Sequence, residues 1–181
     1  MKAVLVLCLL VPLLAFSSFA ELPRANQQSW PISILNKLID ILKRQVDNVQ
    51  AQLDKIKQKV MSIDDLKQIN PAIIQDLEDI VNLILAIGNA GIEIVVGILN
   101  IFVGDIPTGV QDIVNAALVM AQDIIRIIED AFDILQHILS LGGSSEVQKK
   151  IEDMIASLKN AESQLQAEMD KLHQKLQPSG K

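Results

Sequence analysis

The stretch from Ile80 to Gly104 most constrains what this chain can fold into. Its side chains are almost all aliphatic, and the only ones with polar heads are Asn82, Asn89, Glu93 and Asn100. At 3.6 residues per turn those four fall close to one line along a helix, which leaves the rest of the helix surface apolar. Such a helix has to be covered by a protein core, by lipid or by an apolar partner. A bundle helix needs an apolar arc of about 100° or somewhat more. This one is apolar over most of its circumference, so the expectation is that a single-chain bundle leaves part of it to be covered from outside. Periodicity leaves the direction of the polar line open: it is either the lining of an apolar cavity or the solvent edge of a mostly buried helix.

More polar, heptad-patterned stretches lie on both sides. Ile32, Ile39, Val46, Leu53 and Val60 occupy position a, and Leu35, Leu42, Val49, Ile56 and Ile63 position d. Every one is apolar, the signature of a coiled-coil or bundle helix. The Asp40/Arg44 and Asp54/Lys57 spacings read as ion pairs on the outer face. Near the C-terminus, Ile151, Leu158, Leu165 and Leu172 repeat at a, with Val147, Met154 and Ala161 at d, and the pattern weakens where Glu168 falls on d.

Punctuation divides the chain into four helices, expected over 31–63, 71–104, 108–141 and 145–177. Asn70-Pro71 is a cap residue followed by proline at the first helical position. Ser62-x-x-Asp65, Thr108-x-x-Gln111 and Ser145-x-x-Gln148 read as capping boxes. Gly104-Asp105-Ile106-Pro107 and Gly142-Gly143 mark turns, and Pro178 stops the last helix. The third helix combines a polar stripe (Asp112, Asn115, Gln122, Arg126, Glu129, Asp133, Gln136) with a wide apolar face. No period-2 segment is bounded by hairpin turns. Near-equal helices of roughly 45–50 Å at 1.5 Å per residue, joined by short turns, imply an all-α, elongated, up-down-up-down four-helix bundle. Its outer helices are coiled-coil-like and its central pair very apolar.

The start of the chain reads as a signal peptide over 1–20, with a basic Met1-Lys2, an apolar run Ala3–Leu14 and small residues at Ser18 and Ala20. Residues 21–30 are a polar lead-in, and 31–181 form one helical domain. The single cysteine, Cys8, falls in the signal, so the expected product is secreted, extracellular and free of disulfides. The net charge is −6. From Ser62 to Gly143 only Lys67 and Arg126 are basic. An acidic, apolar middle is a poor partner for nucleic acid and for anionic membrane surfaces.

Catalytic chemistry is not in evidence. The chain has two histidines, His137 and His173, and neither adjoins a Gly-x-Ser-x-Gly motif. Glu129, Asp133 and His137 follow at i, i+4 and i+8, but di-metal bundles pair Glu-x-x-His on two helices, so the run reads as a solvated acidic face. No enzyme activity and no cofactor or metal are expected. In general plan the chain resembles exchangeable lipid-binding bundles and helical pore-formers with an apolar hairpin between polar helices, a resemblance of architecture alone.

The resulting expectation is a secreted, non-enzymatic protein that binds lipid or another small hydrophobic ligand between its second and third helices. The candidate contributors are Ile84, Ile87, Ile94, Ile98, Ile101 and Phe102, with Val114, Leu118, Ile125 and Phe132 opposite. Glu93 is the one charge among them, expected to titrate above the usual carboxylate range. Two alternatives stand beside it. One is a membrane-active, pore-forming or effector protein, since residues 80–104 are long enough to cross a bilayer. The other is an interaction protein that forms homo-oligomers through the apolar face.

Overall fold

The computed structural model describes residues 32–177. The expected signal peptide, the lead-in and the Pro178 stop lie outside them. Among the described residues there are four long helices and no strand: α1 (Ile32–Met61), α2 (Pro71–Ile101), α3 (Gln111–Ser140) and α4 (Ser145–Leu176). The all-α four-helix bundle expected from the heptads is therefore the fold.

The helix starts follow the capping chemistry only in part. Asn70 Oδ1 accepts from the Ala72 N–H at 3.0 Å, with Pro71 at the first helical position, as expected. Thr108–Val110 is instead a short 3-10 turn, and α3 begins after it without a side-chain cap. Pro107 favours the tight turn there, and the box residues are absorbed into it. Ser62 closes the last turn of α1 by donating to the Lys59 carbonyl at 2.9 Å. The cap of α4 is Ser144, one residue earlier than expected, and its Oγ accepts from Val147 N at 3.4 Å. Gly142, at φ +84°, reverses the chain just before it, a conformation that a Cβ disfavours.

The heptad seam of α1 faces inward: Leu35, Ile39, Leu42, Val49, Leu53 and Val60 are all 1% exposed or less. Its ends depart from the pattern, since Ile32 is 44% exposed and Ile56 only half-buried. In α4 the seam steps from Leu165 to Met169 and then Leu172, all buried, which bypasses Glu168.

The arrangement of the helices around the bundle is not legible in the pattern. Gln50 and Lys57 of α1 reach Asp130 of α3, and His137 of α3 bonds the Ile63 carbonyl just beyond α1. α1 and α3 therefore run parallel. Lys175 of α4 reaches the Leu99 and Phe102 carbonyls at the end of α2, so α2 and α4 run parallel as well. α1 packs on α2 and α3, α4 packs on the same two, and α2 also packs on α3; α1 and α4 scarcely meet. The cross-section is a rhombus with the two most apolar helices on its short diagonal. Gly91 of α2 marks the closest approach. A Cβ there would stand 2.7 Å from Ile124 of α3, 3.8 Å from Leu165 of α4 and 3.9 Å from Leu42 of α1.

This geometry narrows the part of α2 that a single chain is expected to leave uncovered. That expectation rests on two neighbours per helix, and α2 has three. The amphipathic α1 and α4 have two neighbours each, which matches their narrower apolar faces.

Candidate hydrophobic surface on the second helix

Ile84, Ile87, Ile94 and Ile98 are each 2% exposed or less, and Val114 and Leu118 are buried with them in one continuous core. Ile101, Phe102, Ile125 and Phe132 are half-buried against that core. In the closed bundle these side chains belong to or pack against the common core, so a ligand lodged among them has to displace their packing. The structure brings all ten together, but as core rather than as an open surface.

The face of α2 that remains outward is narrower. Asn82, Asn89, Glu93 and Asn100 are all exposed, so the polar line is a solvent edge and not a cavity lining. Between them Ala86, Val96 and Gly97 are partly exposed, and Val103, beyond the helix end, is 81% exposed. From Ile80 to Gly104 this face carries a single charge, Glu93. Burial among its aliphatic neighbours raises the Glu93 carboxyl above its ordinary value, the direction expected from the sequence.

A groove flanks this face where it meets α4. Near the C-terminal ends of the two helices it encloses about 730 Å³, with Val96, Leu99 and Val103 on one wall and Glu168, Lys171 and Gln174 on the other. Smaller hollows of about 420 and 200 Å³ lie between the N-terminal halves of the same pair. Lys171 is paired with Glu168 at 2.9 Å. Lys175 donates to the Leu99 carbonyl at 3.2 Å and to the Phe102 carbonyl, satisfying acceptors that the end of α2 leaves open and placing a cation at its negative pole.

Several polar roles were not visible in the pattern. Lys57 turns to Asp130 of α3 at 3.5 Å rather than to Asp54, and Asp54 accepts from Gln50 instead at 2.8 Å. His137 is half-buried, with Nε2 3.0 Å from the Ile63 carbonyl, rather than solvated. No group of three or more His, Cys, Asp or Glu side chains among the described residues is placed to hold a metal ion. Gln45 is 4% exposed, and neither atom of its side-chain amide has a hydrogen-bond partner. A glutamine in the heptad g position reads as a surface residue, and only the tertiary packing of α1 buries it.

Across the α3–α4 contact, desolvation raises the Glu162 carboxyl, and the nearby Glu129 carboxylate raises it further. An acid with a raised folded-state pKa contributes stability below its unfolded value, and that stability is lost as pH rises through the folded value. Glu162→Gln is therefore expected to raise the urea midpoint at about pH 7 and to change it little below about pH 3, where the carboxyl is protonated in both states. Equal shifts at both pH values would contradict this origin of the strain.

Comparison of the chain with protein-family models, with curated proteins and with solved structures finds no match.

Proposed function

We propose that this is a secreted, non-enzymatic helical protein that binds lipid or another hydrophobic ligand through α2 and its groove with α4. The observation that carries the reading is the outward face of α2. Over about six turns from Ile80 to Ile101 it presents one carboxyl of raised pKa among asparagine, alanine, glycine and valine, beside a groove with one apolar wall and one charged wall. A face with a single charge avoids the largest desolvation cost when it meets acyl chains, while its asparagine amides have to keep hydrogen bonds to water or headgroups. Ile84, Ile87, Ile94 and Ile98 lie directly behind it and add apolar area only when the bundle loosens.

The test is liposome co-flotation across pH with Glu93→Gln as the comparison. Protonation removes the one charge on the face, so association is expected to strengthen as pH falls below about 5. Neutral liposomes are expected to be preferred to anionic ones at about pH 7, because the acidic middle repels like charge. Glu93→Gln should bind better at neutral pH and respond less to acid. If the wild type ignores liposomes at every pH, and native mass spectrometry followed by organic extraction finds no lipid, the reading falls. Concentration-dependent size would then favour the homo-oligomeric interaction protein.

A membrane-active effector is the second reading. α2 is the one helix among the described residues long and apolar enough, by length and composition, to cross a membrane. Leakage of vesicle contents on binding favours this reading over the carrier.

A further inference from the structure

We propose that the bundle has a built-in parting plane, along which it opens into two parallel helix pairs, α1 with α3 and α2 with α4. Polar bonds hold each pair together internally. Asp130 of α3 takes Gln50 at 3.0 Å and Lys57 at 3.5 Å from α1, and Lys175 of α4 holds the terminal carbonyls of α2.

Three helix contacts lie between the pairs; two of them carry a defect, and the third, α2 on α3, is the apolar short diagonal. Gln45 lies five and twelve residues from Gln50 and Lys57, which is 120–140° around α1 at 100° per residue. Those two residues face α3, so Gln45 faces the other neighbour of α1, which is α2. Its amide is buried there without a partner, and such a group destabilises the contact that desolvates it. On the other side of the plane, burial raises the Glu162 carboxyl of α4, and the charge of Glu129 on α3 raises it further.

The connections permit this motion. The α1–α2 link and the α3–α4 turn lie at one end of the bundle and act as hinges, with Gly142 in the second. The α2–α3 link spans residues 102–110 at the other end, and a chain of that length reaches about 30 Å when extended. The pairs can therefore separate at that end with loss of the Thr108–Val110 3-10 turn but of none of the four long helices.

The experiment is alkylation of single buried thiols in the native, lipid-free protein, in a Cys8→Ser background. Three sites start from almost the same exposure: Ala90 at 5%, Ala161 at 5% and Val46 at 4%. Ala161 lies against Gly88, within the α2–α4 pair. Ala90 is 200° around α2 from Gly88 at 100° per residue, on the side of α1 and so on the parting plane. Val46 is one turn before Gln50, within the α1–α3 pair.

The thiol of Ala90→Cys is expected to react at least about tenfold faster than those of Ala161→Cys and Val46→Cys, because it alone is uncovered when the pairs part. Adding Gln45→Leu should slow it by about tenfold, the equivalent of one removed unsatisfied group, and leave the other two unchanged. Equal rates at all three sites, as global unfolding gives, overturn the proposal. So does fast labelling of Ala161→Cys, which detachment of α4 or separation of the two sequential hairpins produces. Fast labelling of Val46→Cys together with Ala90→Cys means that α1 leaves alone, and overturns it too. The outcome does not depend on lipid binding.

Discussion

Leu42→Ala is expected to lower the unfolding free energy by about 2–5 kcal/mol, whereas Asp47→Ala changes it by less than about 0.5 kcal/mol. Leu42 is 0% exposed, and its Cδ2 lies 3.9 Å from where a Cβ on Gly91 would stand, in the layer where all four helices meet. Truncation there loses the transfer energy of three carbons and leaves a cavity that rigid helix backbones cannot collapse into. Asp47 is exposed on the far side of α1. Ile56, also a d position, is only half-buried, so Ile56→Ala should fall between the two. The check is a urea series on the three variants. Similar losses at Leu42 and Asp47 would falsify the register of α1.

Gly91→Leu should be nearly as damaging, by about 3 kcal/mol, the upper end of the usual overpacking range. The position is enclosed by Ile124, Leu165 and Leu42 from three different helices, so a large side chain cannot turn away from one neighbour without striking another. Gly91→Ala is the informative control. Its methyl is crowded only by the flexible end of Ile124 and makes ordinary contact with Leu165 and Leu42, and alanine brings about 1 kcal/mol of helix propensity. Differential scanning calorimetry should therefore show a large fall in Tm for leucine and a much smaller change for alanine. A leucine variant as stable as the parent would mean that the helices are not closely packed at this layer.

The glycines of α2 suggest close packing or a kink, but not how many helices close in at each one. Glu93 behaved as its neighbours imply, because the aliphatic residues that desolvate it are mostly local. Its direction, outward with Asn82, Asn89 and Asn100, required knowing which side of α2 has no neighbour. The partners of Lys57, His137 and Lys175 lie 73 to 76 residues away in the chain, and no local spacing encodes them. Ten of the candidate side chains lie in or against the core, and Glu93 lies on the solvent edge. A wide apolar arc has the same periodicity whether lipid or a third helix covers it, so spacing alone does not tell a core from an open surface.

The sequence by itself determined the four helices, their approximate lengths and the inward faces of α1 and α4. Those depend on interactions within a few turns: the Asn70-Pro71 start, the Gly142 reversal, and apolar residues repeating at heptad spacing. Only the tertiary structure decided that α2 and α3 share the short diagonal, that α1 lies beside α3 rather than α4, and that Gln45 is buried without a partner. Each of these depends on which faces of distant segments meet. Burial energy is non-directional and rewards any arrangement that covers the apolar area, so the choice among arrangements falls to close packing at sites such as Gly91 and to the few polar bonds that cross between helices.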